Sequence, residues 1–201
     1  GNLSMLFHSL QFAIFFPIVY AAYLVLSHRL QNRMLLVASY VFYGAWDWRY
    51  LSLILISTVV DYLCSHRIEN TENAKKKKTF VTISIVSNLS LLGVFKYFDF
   101  FALNFQELMG NVGLTVHPYF LNVALPVGIS FYTFQTLSYT IDVYRGKREP
   151  EMHLGIFALY VAYFPQLVAG PIERSTRLLP QLRVVQNFDF DRLKTGLVLI
   201  L

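Results

Sequence analysis

The sequence predicts an all-α, polytopic integral membrane protein: about five transmembrane helices, a broken or re-entrant sixth segment, and a truncated seventh. Three observations carry this. Hydrophobic residues make up 55% of the 201 positions and charged ones only 14%, whereas a soluble domain needs roughly 25% charged residues to solvate its surface. The apolar residues fall in blocks separated by short polar segments, the pattern of bilayer spans. Aromatics reach 16%, many of them at block ends, where interfacial belts form.

The first block runs from about Ser9 to Ser27 with Pro17 inside it, which a membrane helix tolerates where neighbours satisfy the freed carbonyl. No basic residue precedes it and no small-residue cleavage site follows, so it reads as a retained helix rather than a signal peptide. The second, about Met34 to Trp46, and the third, about Tyr50 to Cys64, are each short for a ~30 Å hydrocarbon core. Gly44-Ala45-Trp46-Asp47-Trp48 joins them in a tight turn with two interfacial tryptophans. The fourth, about Phe80 to Phe101, is long enough to cross alone. A weakly apolar stretch with Gly110, Gly113 and Pro118 leads to the fifth, about Asn122 to Tyr144. The sixth, about Leu154 to Ala169, is broken by Pro165 and closed by Gly170-Pro171. Gly196 to Leu201 opens an apolar run too short to span. Residues 1–201 therefore read as the N-terminal portion of a single membrane-embedded domain, with Gly1–Ser4 as a cloning remnant before a start at Met5.

Charge placement sets the orientation. Arg29, Arg33, Arg67, Lys75–Lys78, Arg145, Lys147 and Arg148 follow the first, third and fifth blocks, while the alternate loops hold only Arg49. By the positive-inside rule the first group is cytoplasmic and the N-terminus is outside. The net charge of +5 thus belongs to membrane topology rather than to nucleic-acid binding. Lys75–Lys78, the one basic run, reads as a cytoplasmic loop. The sixth segment departs from the pattern, since it starts beside Arg145–Arg148 and is followed by Arg174, Arg177 and Arg183. A segment that returns to the cytoplasmic side resolves the conflict, and irregular backbone at that depth must be buried in protein or line a wet cavity.

On a 100° wheel, Ser130, Thr133, Thr136 and Thr140 of the fifth helix share one face, and Gln135, Ser138 and Asp142 lie roughly opposite. Polar groups on both sides imply a helix surrounded mostly by protein or by a water-filled passage; hydroxyl-mediated helix contacts are the alternative for the Ser and Thr residues. Lys96 and Asp99 read as a snorkelling pair in an aromatic belt. For Asp61 a structural and a functional role both stay open. Cys64 is the single cysteine, which excludes an intramolecular disulfide. His8, His28, His66, His117 and His153 all lie at block boundaries without metal-ligand spacing, and no phosphate loop or nucleophile elbow occurs. No catalytic residue and no metal site can be assigned.

Two stretches go further: Leu125-Pro126-Val127-Gly128-Ile129-Ser130-Phe131-Tyr132-Thr133-Phe134-Gln135 continuing to Tyr139-Thr140-Ile141-Asp142-Val143-Tyr144-Arg145-Gly146, and Tyr163-Phe164-Pro165-Gln166-Leu167-Val168-Ala169-Gly170-Pro171-Ile172-Glu173-Arg174. With Met5-Leu6-Phe7 and Phe15-Phe16-Pro17-Ile18, they resemble the membrane-bound O-acyltransferases, in the bacterial branch of the alginate O-acetyltransferases. The resemblance implies an enzyme moving an acyl group, such as acetyl, from a cytosolic thioester donor such as acetyl-CoA to a hydroxyl of an extracytoplasmic polysaccharide or other acceptor. It implies a ring of helices around a passage, a histidine base in a segment this chain does not contain, no bound cofactor, and a bacterial inner-membrane location. Its partners would be membrane lipid, the acyl donor, and the acceptor or a protein that modifies it. Gln135, Gln166, Glu173 and Arg174 are the expected passage-wall or substrate-binding residues, with Arg174 suited to coenzyme A phosphates. The rivals are a transporter or exporter subunit, whose helices are also broken at membrane depth, and a non-catalytic scaffold for a soluble acyltransferase.

Overall fold

The computed structural model describes residues 10–112, 114, 128–167, 173–185, 189–191 and 194–195. Among these the regular structure is entirely helical: α1 Leu10–Val25, α2 His28–Asp47, α3 Leu51–Glu69, α4 Ala74–Leu92, α5 Phe98–Asn111, α6 Ile129–Tyr144, α7 Leu154–Ala162, α8 Phe164–Leu167 and α9 Ser175–Arg183. A tight turn, Trp48–Tyr50, joins α2 to α3, and a wide five-residue turn, Gly93–Tyr97, joins α4 to α5. Expectations resting on Gly1–Ser4, Met5, Pro126, Gly170-Pro171 and Gly196–Leu201 lie outside the described residues.

The bundle buries polar side chains within its apolar core and turns apolar ones outward. The buried stripe of α3 holds Ser57, Thr58, Asp61 and Ser65 among Leu53, Ile54, Cys64 and Ile68, while Leu55, Ile56, Val59 and Leu63 face outward. Helix α4 buries Val81, Ser84, Asn88 and Leu92 at helical spacing and exposes Ile83, Val86 and Leu89. Water would not favour this arrangement; hydrocarbon does, because there polar groups must find partners within the protein. Among the described residues two helical runs are long and apolar enough to cross a membrane, Trp48–Glu69 with 22 residues and Ala74–Asn111 with 38.

Several boundaries differ from the sequence expectation, each for a local reason. The apolar blocks of α2 and α3 are short, but the helices run to 20 and 19 residues, because α2 begins in the polar segment His28–Arg33 and α3 ends past Arg67. Gly44–Asp47 is helical, and the turn falls at Trp48–Tyr50 instead, where Asp47 accepts from the Arg49 backbone N–H at 3.0 Å. The Arg49 side chain, 2.6 Å away, holds the Asp47 carboxyl below its ordinary range. Lys75–Lys78 form the first turn of α4 rather than a loop. Asn73 caps that turn, its Oδ1 accepting from the Lys75 and Lys76 amides at 2.9 and 3.3 Å, which offsets basic residues at the positive end of the helix dipole. The fourth block extends through α5 to Asn111, taking in Gly110.

Helices α3, α4 and α6 pack mutually, and α7 packs against α2, α3 and α9. Tyr132, Tyr139, Phe157 and Tyr160 fill the interior between α6 and α7. The sixth segment is broken, as the sequence predicts, but at Tyr163, which is extended (φ −54°, ψ 105°). Pro165 then sits in the first turn of α8, where its missing N–H costs nothing.

Candidate functional site

Polarity concentrates where α3, α4 and α6 meet. Asp61 is fully buried. Its Oδ1 accepts from Ser84 Oγ, and Asn88 Nδ2 donates to both carboxylate oxygens at 2.9 Å. Ser57 Oγ lies 3.5 Å from Asp61 Oδ2 and donates to Asn88 Oδ1 at 2.6 Å, and Thr136 Oγ1 approaches the same oxygen at 3.4 Å. Helix spacing builds the cluster: Ser57 and Asp61 are i and i+4 on α3, and Ser84 and Asn88 are i and i+4 on α4. Neutral donors surround this carboxylate, and none of the ion pairs among the described residues involves it. The arrangement locks three helices together.

On the opposite face of α6 Gln135 is buried, and Ser138 and Asp142 are half-buried. Gln135 is 3% exposed, and its Nε2 donates to the Tyr160 carbonyl of α7 at 2.8 Å. The Tyr160 hydroxyl donates back to the Gln135 carbonyl at 3.4 Å. The side chain thus clamps α6 to α7.

The sixth segment closes on itself. Glu151, fully buried just before α7, binds Arg183 at the end of α9 at 2.8 Å and accepts from the His153 amide at 3.0 Å. The Glu151 amide donates to the Tyr139 hydroxyl at 2.8 Å, and the Arg148 guanidinium lies over that ring, 5.0 Å from its centroid. The end of α9 is also held by α2: Asn32 Nδ2 donates to the Leu182 carbonyl at 2.7 Å, and His28 Nε2 lies 3.1 Å from the Arg183 carbonyl. A chain that leaves at Glu151 therefore returns to the same place at Arg183. Helix α7, with nine residues, rises only about 14 Å, less than half of a ~30 Å core.

The four expected wall residues are distributed over separate elements. Gln135 is in the α6–α7 clamp, Gln166 is buried on α8, Glu173 is half-buried, and Arg174 is exposed as the residue preceding α9. The Arg174 carbonyl accepts from the Arg177 and Leu178 amides at 2.9 and 3.2 Å and so starts α9. None of the four lines the cavity of about 390 Å³ that lies between α1, α2, the Tyr163 break and α9. Sequence reasoning missed this cavity, whose walls come from the two ends of the chain; the run of Phe16, Tyr20 and Tyr23 along one side of α1 was its one visible sign. Lys96, at the wide turn, reaches Ser130 Oγ at 3.0 Å and so ties that turn to α6.

The described histidines lie at helix ends, His66 Nδ1 being 2.9 Å from the Tyr62 carbonyl. No group of three metal-ligating side chains occurs among the described residues.

No family model and no solved structure matches the chain. Curated relatives do. The chain is 38% identical over 170 residues to the probable alginate O-acetylase AlgI of Pseudomonas aeruginosa, covering 84% of this chain and 32% of that protein. The corresponding protein of Azotobacter vinelandii is 38% identical over 173 residues, covering 84% and 34%. The peptidoglycan O-acetyltransferase of Helicobacter pylori is 31% identical over 202 residues, covering 86% and 37%. The chain thus spans about a third of the length of the curated relatives it matches.

Proposed function

We propose, from the premise that this chain belongs to the membrane-bound O-acyltransferases, that it forms part of an enzyme acetylating hydroxyl groups of an extracytoplasmic polysaccharide. The observation that carries the reading is 31–38% identity, over about 84% of the chain, to proteins named as alginate O-acetylases and a peptidoglycan O-acetyltransferase. The donor is a cytosolic acyl thioester such as acetyl-CoA. The acceptor oxygen attacks the thioester carbonyl, the thiolate leaves, and the hydroxyl proton is taken by a base and ends on the thiol.

Within that reaction the residues of this chain build a wall. The bundle lies in the bacterial inner membrane with its N-terminus outside, crosses about five times, and dips from the cytoplasmic side between Glu151 and Arg183. The close approach of those two residues and the basic charge at both ends of the segment support this topology. Gln166, Glu173 and Arg174 sit on the returning limb, where Arg174 meets the donor phosphates; Gln135 holds the wall to α7. No residue of the chain is assigned as the base, and an acceptor-modifying partner protein completes the system outside the membrane.

The test uses the full-length protein in proteoliposomes with labelled acetyl-CoA inside and a hydroxyl-rich polysaccharide outside. Label on the polymer supports the reading. Export of polymer without label supports a transporter, and label appearing only when a soluble transferase is added supports a scaffold. The 201-residue chain alone should transfer nothing.

A further inference from the structure

The cavity between α1, α2 and α9 takes no part in the acyl-transfer reading, and its chemistry is specific. Much of its lining is apolar, Phe16, Val19, Leu35 and Phe164 among it, while Tyr23, Asn32, Tyr163, Gln181 and His28 add polar groups. Among the described residues that line it there is no Asp, Glu, Lys or Arg, and His28 is the one basic side chain. At about 390 Å³ it falls within the ~300–1,000 Å³ of small-molecule sites.

Its walls are fixed in advance. Gln31 Nε2 donates to the Tyr23 carbonyl at 2.8 Å and pins α1 to α2, and the Asn32 bond to Leu182 pins α2 to α9. Phe16 is both a wall of the cavity and 44% exposed on the apolar outer surface, beside Ile18 at 63%. A second, almost wholly apolar hollow of about 440 Å³ flanks it on α1 and α2 and shares Val19. The cavity therefore adjoins the apolar outer surface of the bundle. Among the described lining residues a charged headgroup would find no counter-charge beyond His28, whose Nε2 already lies 3.1 Å from the Arg183 carbonyl, and would lose its hydration; an unbroken alkane would leave the phenols and the amide unpaired.

We propose that this cavity binds a neutral, hydroxyl-bearing lipid drawn from the bilayer, its tail against Phe16, Val19, Leu35 and Phe164 and its head against Tyr23, Tyr163 and Asn32. The site is independent of the acyl-transfer chemistry, and it identifies the lipid by charge and hydrogen bonding rather than by chain length.

The experiment uses the full-length protein in nanodiscs doped with a monoacylglycerol carrying a diazirine in its chain, with adducts mapped by mass spectrometry after photolysis. Saturable adducts are expected on the peptides holding Phe16–Tyr23 and Tyr163–Pro165, displaced by plain monoacylglycerol. Val19→Trp should fill the cavity and reduce them about ten-fold, the cost of losing roughly two buried methylenes. Ile83→Trp on the outer face of α4 should leave them unchanged. The double variant Tyr23→Phe, Tyr163→Phe keeps the shape and should abolish the preference for the monoacylglycerol over a diazirine alkane, which covers the case of Val19→Trp failing to fold. Adducts spread over every exposed apolar face would overturn the proposal. So would their absence from the cavity peptides, or equal displacement by a lysophosphatidic acid or an acyl-CoA.

Discussion

Glu151 and Arg183 are 32 positions apart in the chain and 2.8 Å apart in space, with the carboxylate wholly buried and the guanidinium half exposed. The pair ties the entry of the broken segment to its exit. Removing Arg183 leaves Glu151 with the His153 amide and no cation. Arg183→Ala should therefore cost about 1–3 kcal/mol, the figure for losing a charge-assisted bond, lowered by the partial exposure of the arginine. In detergent melts, Glu151→Ala combined with Arg183→Ala should cost clearly less than the sum of the single variants; strict additivity would mean that the pair carries no coupling.

The topology has a chemical readout. Glu151 and Ser175 are both buried and would resist labelling from either side, so cysteines belong at Met152 and Val185, which are 66% and 61% exposed. On a background with Cys64 replaced, both should react with an impermeant maleimide only in inside-out vesicles, together with a cysteine in the Lys75–Lys78 turn. Reaction of Met152→Cys and Val185→Cys from opposite sides would establish a full crossing.

Asp61 should tolerate little. Asp61→Ala strands the donors of Ser84 and Asn88 in the interior, at ~1–3 kcal/mol for each unsatisfied group. Asp61→Asn keeps the shape but sets an amide N–H₂ against that of Asn88 and should cost about 1–3 kcal/mol. Thermal unfolding in a fixed detergent measures both, and a loss no larger than that of an outward-facing variant such as Leu55→Ala would remove the cluster from the list of what holds the helices.

Gln135 separates two roles. As the α6–α7 clamp, Gln135→Leu should lose about 1–3 kcal/mol of stability by orphaning the Tyr160 carbonyl, with activity falling in proportion to folded protein. As a wall residue in contact with substrate, it should instead lose activity per folded molecule. Measuring melting temperature and transfer rate on one preparation distinguishes them.

The sequence made the helices legible where polarity and period coincide. Thr133, Thr136 and Thr140 on one side of α6 and Gln135 on the other implied a helix surrounded mostly by protein or by a water-filled passage, and all four are buried, while Phe134 stays 48% exposed. The start of α2 was not legible, because His28–Arg33 carries no apolar stripe and is held helical partly by bonds to α1 and α9, more than a hundred residues away in the second case. Glu151 was passed over because it lies outside any apolar block, and only the folded chain shows that Tyr139 and Arg183 enclose it. Gln166, Glu173 and Arg174 belong to one motif, and the fold spreads them from buried on α8 through half-buried to exposed before α9.

The wide turn at Gly93–Tyr97 holds more residues than ordinary helical winding would need. It also falls where the buried stripe of α4 ends, at Leu92, and among the described residues neither the turn nor α5 buries a side chain. One end of the 38-residue run is thus clamped by α3 and α6 while the other projects beyond them, tethered at the turn by Lys96 on Ser130. Deleting a single residue within the turn would restore regular winding and swing α5 by about 100° around its axis while leaving Asp61 and its donors where they are. The number of residues in that turn, more than their kind, decides which flank of α5 the rest of the molecule meets.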